Sequence, residues 1–198
     1  MQQVSKISAF DITDLRVSCS SCSLSQLCLP HGLSQEELTQ LDALIKHKPS
    51  IEKGQALFRA GEPLKAVHAI RSGSFKTVVL TNSGSEQITG FYLPGELVGL
   101  DGLGEDIHKC TAIALESSTT CALEMTDLEN LCCSMIGLRR QMFHLIGNEI
   151  NHDHDILLAL GQMKGEERLA AFLLSLSKRL EQRGFSPVDF NLSMPRHD

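Results

Sequence analysis

The chain has 198 residues with seven cysteines, no tryptophan, one tyrosine and a formal net charge of −6. That length supports one good core and a smaller appendage, and no run approaches the ~18 apolar residues of a membrane span. The charge lies before residue 166, with five acidic and five basic residues from Glu166 onward, so there is no basic face for nucleic acid and too few aromatics for a base-stacking platform.

The first 18 residues carry no strong pattern and are expected along the surface. They contain no apolar region of a secretory signal, so the chain is expected to be cytoplasmic. The run Cys19-Ser-Ser-Cys22-Ser-Leu-Ser-Gln-Leu-Cys28 follows, spaced C-x2-C-x5-C. An odd number of cysteines, three of them clustered, favours a metal or redox site over a disulfide framework. Cysteines used as small core hydrophobes would not stand among Ser18, Ser20, Ser21, Ser23 and Ser25. A tight turn can aim the first two sulfurs at one metal, and a curled loop can return the third. Thiolates select zinc, copper(I) or iron–sulfur clusters. Three are one short of a closed zinc or four-iron site, and spacing alone does not choose the metal.

Ser34-x-x-Glu37 is a capping box opening a helix with Leu38, Leu41, Leu44 and Ile45 on one stripe, stopping before Pro49. From Ile51 to Leu123 short runs rich in Val, Ile, Phe and Thr (66–70, 75–80, 87–92 and 111–115) alternate with glycine turns. This spacing predicts a β-sandwich or barrel, with tight turns at 81–84 and at Pro94-Gly95. A second capping box, Thr126-x-x-Glu129, predicts a short helix through Leu131. Cys132 and Cys133, adjacent and so on different faces, read as packing residues and not ligands.

A long helix is predicted over about 137–163. Ile146, Ile150, Leu157 and Leu160 fit an a/d seam, with Asp153 where an apolar residue is expected. In a parallel two-fold dimer Asp153 would meet its own copy. His152 and His154 point to different faces and are read as solvated. Gly161 and Gly165 mark a joint. The next helix, opened by Glu166-Glu167-Arg168, places Leu169, Phe172, Leu173, Leu176 and Leu180 on one face and ends at Gly184. Val188, Phe190 and Leu192 alternate as in a strand. One helix and one strand are too little for an independent core.

This order resembles the cyclic-AMP receptor superfamily, and within it the fumarate and nitrate reduction regulator (FNR) family of oxygen sensors. The resemblance covers essentially the whole chain. It rests on the Cys19–Cys28 run, Ala69-Ile-Arg-Ser-Gly73, Glu86-Gln-Ile-Thr-Gly-Phe91, Glu166-Glu-Arg-Leu-Ala-Ala-Phe172 and Arg183-Gly-Phe-Ser-Pro187. It implies an α+β fold: a cyclic-nucleotide-binding-like antiparallel β-roll (jelly roll) with an N-terminal cluster loop and helix, a long dimerisation helix and the truncated start of a winged-helix domain. The expected divisions are 1–33 for the cysteine segment, 34–136 for the β-roll sensor, 137–164 for the dimerisation helix and 165–198 for the incomplete start of the DNA-binding domain.

The resemblance further implies a [4Fe-4S] cluster. Its fourth ligand is Cys121, through the match of Glu116-Ser-Ser-Thr-Thr-Cys121; Cys110 is the competitor, in a stretch with no family match. Leu24, Leu27 and Leu29 are the expected apolar shield. The implied function is an oxygen-responsive transcription regulator of anaerobic metabolism that forms a homodimer when the cluster is bound. Promoter DNA and RNA polymerase are the partners of the full-length protein, through a helix-turn-helix beginning near Ser193-Met194-Pro195-Arg196. The 198-residue chain is therefore not expected to bind DNA specifically. Cyclic nucleotide is not expected. Gly95-Glu96-Leu97 keeps part of a nucleotide cassette, but no arginine lies between Arg71 and Arg139, and Thr111-Ala112 stands where nucleotide-binding members carry Arg-Ser/Thr. The alternative reading is a structural zinc site on a sensor of another signal. An enzyme is not expected, because no Ser/His/Asp, P-loop or dinucleotide pattern stands in a suitable context.

Overall fold

The structure is a computed structural model that describes residues 18–47, 49–81, 84–190 and 192–193; the expectations for the N-terminal stretch before Ser18, for residues 82–83 and for residues 194–196 lie outside these. The cysteine loop leads into α1 (Gln35–Leu44). The first capping box forms as predicted: Ser34 Oγ accepts from the Glu37 N–H at 3.3 Å, and the Glu37 carboxylate accepts from the Ser34 N–H at 2.8 Å. The helix ends at Leu44, because the chain then enters a strand.

Eight strands build the roll: β1 (Lys46–His47), β2 (Ala56–Phe58), β3 (Ala66–Ser72), β4 (Phe75–Leu80), β5 (Glu86–Tyr92), β6 (Leu97–Val98), β7 (Thr111–Ala114) and β8 (Thr119–Glu124). They form two four-stranded antiparallel sheets, ordered β1-β8-β3-β6 and β2-β7-β4-β5. The turn that carries the chain from β3 in one sheet to β4 in the other needs glycine. Gly73 has φ +76°, and a Cβ there would meet Ser118 Oγ at 2.1 Å. One core lies between the sheets around Phe58, Ile70, Phe75 and Val98. The other lies between the first sheet and the helices, around Leu29, Leu41, Leu97, Leu123 and Leu138. Leu41 is fully buried there. Leu41→Ala is expected to lower stability by about 3 kcal/mol, the cost of a buried leucine plus its cavity, read as a fall in the urea midpoint at unchanged slope.

α2 (Met125–Ser134) follows β8 without a break. The second predicted capping box does not form. Glu124, the last residue of β8, occupies the N-cap, so Thr126 is already inside the helix and no side chain caps it. Cys132 packs against the core as expected, but Cys133 is exposed. α3 (Ile136–Gln162) is the predicted long helix, one residue earlier at each end. α4 (Gly165–Glu181) follows the glycine joint. It ends in a Schellman motif on Gly184, with Gly184 N–H to Glu181 O at 2.9 Å and Phe185 N–H to Leu180 O at 3.1 Å.

α4 rests against the roll. Leu176 is buried, and Phe172 meets Phe91 of β5 with ring centroids 5.2 Å apart. Leu169 and Leu173, predicted on the same face, are exposed. The strand expected over 188–192 is absent among the described residues. Val188 is 90% exposed. No helix among the described residues is long and apolar enough to cross a membrane.

Candidate metal centre

The cysteine segment winds through successive tight turns. A 3-10 turn (Cys19–Ser21) brings the Cys22 N–H to Cys19 O at 3.3 Å, Ser25 N–H then reaches Cys22 O at 3.1 Å, and Leu27 N–H reaches Leu24 O at 2.9 Å. The small serines between the thiols let the backbone turn this sharply. The loop is anchored at both ends. The Cys19 N–H donates to Asp42 of α1 at 2.8 Å, and the Cys28 carbonyl accepts from Gln141 Nε2 of α3 at 3.1 Å.

This winding lays Cys19, Cys22 and Cys28 over the first sheet, where Cys121 sits in β8 opposite Ala69 of β3. All four thiols line one cavity of about 40 Å³, closed by apolar side chains that include Leu24, Leu29, Ile45 and Leu123. A single water needs ~10–15 Å³. Among the described residues, no three His, Cys, Asp or Glu side chains converge as a site for one ion; the four sulfurs surround the cavity and do not meet at one point. Cys110 is elsewhere, buried in the core between the sheets with its thiol donating to Asp101 Oδ2 at 3.2 Å.

Burial dominates the electrostatics. Desolvation, followed by the carboxylate of Asp42, pushes the Cys19 thiol up to about 12. Desolvation likewise pushes Cys28 up to about 12, with the charges of Cys121 and Cys22 adding. Cys121 is also raised, by desolvation first, with Arg71 acting against it. Filling such a site with a cation requires these thiols to lose their protons.

Two expectations need correction. Leu27 does not line the thiol cavity. It covers Gly95, where an added Cβ would stand 3.0 Å from Leu27 Cβ, and only Leu24 and Leu29 of the expected shield reach the sulfurs. His152 is half-buried beside Glu149, whose carboxyl it influences, while His154 is exposed as expected. Asp42 and Gln141 sit in no local pattern that marks them, and Arg71 falls within the Ala69–Gly73 motif without a role being legible there.

On α3 the seam residues separate. Ile146 packs partly on the protein's own core, whereas Ile150, Leu157 and Leu160 are half or more exposed and Asp153 is exposed. Ile136 and Phe143, also exposed, extend the stripe upstream in steps of seven, a stretch the sequence reading left out.

The class follows from the roll. Residues 48–134 match the cyclic nucleotide-binding domain family. The fold is similar to that of FixK2 from Bradyrhizobium japonicum (TM-score 0.63, 26% identity, covering 68% of this chain and 67% of that one). It is also similar to the catabolite activator protein of Thermus thermophilus (TM-score 0.59, 22% identity, 80% and 81% covered), a likeness of fold. The sequence is 49% identical over 182 residues to the fumarate and nitrate reduction regulatory protein of Escherichia coli, covering 92% of this chain and 73% of the relative. The chain belongs to this family of transcription regulators.

Proposed function

We propose that this chain is the sensing part of a cytoplasmic, oxygen-responsive transcription regulator of anaerobic metabolism. In this reading Cys19, Cys22, Cys28 and Cys121 hold a [4Fe-4S] cluster. The observation that carries it is the gathering of those four thiols, and none of the other three, around one apolar cavity. An all-sulfur donor set of four fits a four-iron cluster. Four sulfurs that ring a cavity suit a cluster better than one zinc ion, which needs all of them at ~2.3 Å from a single point.

Such a cluster supplies a reaction with oxygen that ends in its loss. The chain's own residues do the rest. The four thiols must give up their protons on loading, at Cys19, Cys28 and Cys121 against the desolvation that holds them neutral. Leu24 and Leu29 keep water from the sulfurs. The bond from Gln141 to the Cys28 carbonyl ties the loop to α3, so a loop that loosens alters the helix carrying the seam. The exposed stripe of Ile150, Leu157 and Leu160 is the surface on which a second copy would pack when the loop is set, with promoter DNA and RNA polymerase as the partners of the dimer. The Glu96 carboxylate is engaged by two arginines of the chain itself, which agrees with a roll that does not take cyclic nucleotide.

Protein purified without air, from cells with working cluster assembly, is expected to be brown, to hold about four irons and four sulfides per chain, and to bleach in air. The visible spectrum with iron, sulfide and zinc analysis reads this. A colourless preparation with stoichiometric zinc establishes the structural zinc site instead.

A further inference from the structure

Glu96 belongs to the Gly95-Glu96-Leu97 turn between β5 and β6, the remnant of a nucleotide cassette. Its carboxylate is fully engaged inside the chain. Arg179 of α4 takes it with Nε to Oε1 at 2.9 Å and Nη2 to Oε2 at 2.5 Å. Arg183, one turn further on, donates to Oε1 at 2.7 Å, and the Leu93 N–H donates to Oε2 at 2.9 Å. Both guanidiniums also grip the roll's backbone, Arg179 at Phe91 O and Arg183 at Pro94 O, each at 2.6 Å. Arg183 is 3% exposed at its side chain. A guanidinium this buried, holding a carboxylate at charge-assisted distance, is costly to leave without its partner.

The same turn touches the cysteine loop twice. Leu27 and Leu24 seat on Gly95, their Cβ atoms 3.0 and 3.7 Å from where a Gly95 Cβ would lie. Ile70, which lines the thiol cavity, exchanges backbone hydrogen bonds with the turn: its N–H to Glu96 O at 3.0 Å, and the Gly95 N–H to its carbonyl at 2.7 Å. A short chain of contacts therefore runs from the thiol cavity through Leu24 and Ile70 to the turn of Glu96 and on to α4, with Leu27 of the same cysteine loop seated beside Leu24 on Gly95.

We infer that Glu96 is a positioning residue that clasps α4 to the roll and makes the seating of α4 depend on the cysteine loop, a second output beside the seam of α3. The clasp stands on its own contacts; its role in sensing rests on the loop being the sensor. The probe is amide hydrogen exchange over α4 in the 198-residue protein, purified without air and again after air exposure, with iron measured on the same samples. In both states Glu96→Gln is expected to speed α4 exchange by about tenfold or more while β3 and β8 keep the parent's protection. Leu27→Ala is expected to speed it about threefold in the parent, with no further effect in the Glu96→Gln background, the non-additivity of a shared path. Should Glu96→Gln also unsettle β3 and β8, Arg179→Gln, which removes the two-point grip at the more exposed arginine, must still speed α4. Unchanged α4 exchange in the variant whose roll stays intact, or equal effects of Leu27→Ala in both backgrounds, overturns the clasp. Iron-free anaerobic protein would defeat the cluster reading without touching these exchange ratios.

Discussion

Cys121→Ser protein purified without air is expected to contain no iron or acid-labile sulfide, while Cys110→Ser protein keeps the parent's full content. Both thiols belong to the β-roll, Cys110 buried and Cys121 half-buried, and the chain places them in different cores. Cys121 faces the cysteine loop from the central strand β8, and its charge reaches Cys19 and Cys28. Cys110 stands between the sheets, its thiol held by Asp101, which also accepts the N–H groups of Lys109 and Cys110. Desolvation and then Asp101 push the Cys110 thiol well above the ordinary range, and it does not line the cavity shared by the other four. A serine at position 121 supplies a hard oxygen where the other donors are soft, and leaves the loop's three thiolates without the anchor on the sheet. Cys132→Ser and Cys133→Ser belong with Cys110→Ser, since neither residue lines the cavity. Iron and sulfide per chain, measured in parallel on the four variants, decide the set. Retention of the cluster by Cys121→Ser together with its loss in Cys110→Ser reassigns the fourth ligand.

Asp153→Ala is expected to make the protein dimeric in air without its cluster, where the parent is monomeric. Asp153 is exposed on α3, and its neighbours along the stripe are the unpartnered Ile150 and Leu157. Across a two-fold parallel seam the carboxylate faces its own copy. At ~4 Å and an effective dielectric near 20 the unscreened repulsion is about 4 kcal/mol. Salt and side-chain movement reduce that to a residual cost of about 1–3 kcal/mol. Since 1.4 kcal/mol is tenfold in a dissociation constant, the residue can shift a weak dimer by about one to two orders of magnitude. One turn away, Glu149 is half-buried and accepts a 2.6 Å hydrogen bond from Tyr92 of the roll; its carboxyl is raised first by desolvation and further by the charge of Asp153, and lowered by Tyr92 and His152. Sedimentation of both proteins in aerobic buffer at equal concentration reads the outcome. A monomer for Asp153→Ala removes the gate and leaves Asp153 as a solvated edge residue.

Much of this protein is written in contacts that span four residues or fewer, and sequence alone is competent there. The Ser34–Glu37 box and the helix end at Gly184 need only their own neighbours, and both stand in the structure as read. The thiol motif from Cys19 to Cys28 is equally local, which is why it reads as a metal or redox site without choosing the metal. Resemblance to a family supplied the fold and the choice of Cys121.

Only tertiary structure decided how distant segments meet. It set Cys121 over the loop, turned Leu27 onto Gly95 and away from the sulfurs, recruited Gln141 and Asp42 as anchors, and closed Glu96 on Arg179 and Arg183. It also overruled two local signals. The Thr126–Glu129 box lost its N-cap because β8 runs straight into α2, and the alternation of Val188, Phe190 and Leu192 produced no strand among the described residues, since a strand forms only where its backbone groups are paired with a neighbouring edge. Periodicity reports what a segment can do by itself; which partner it finds depends on loop closures and packing that no short window of sequence contains.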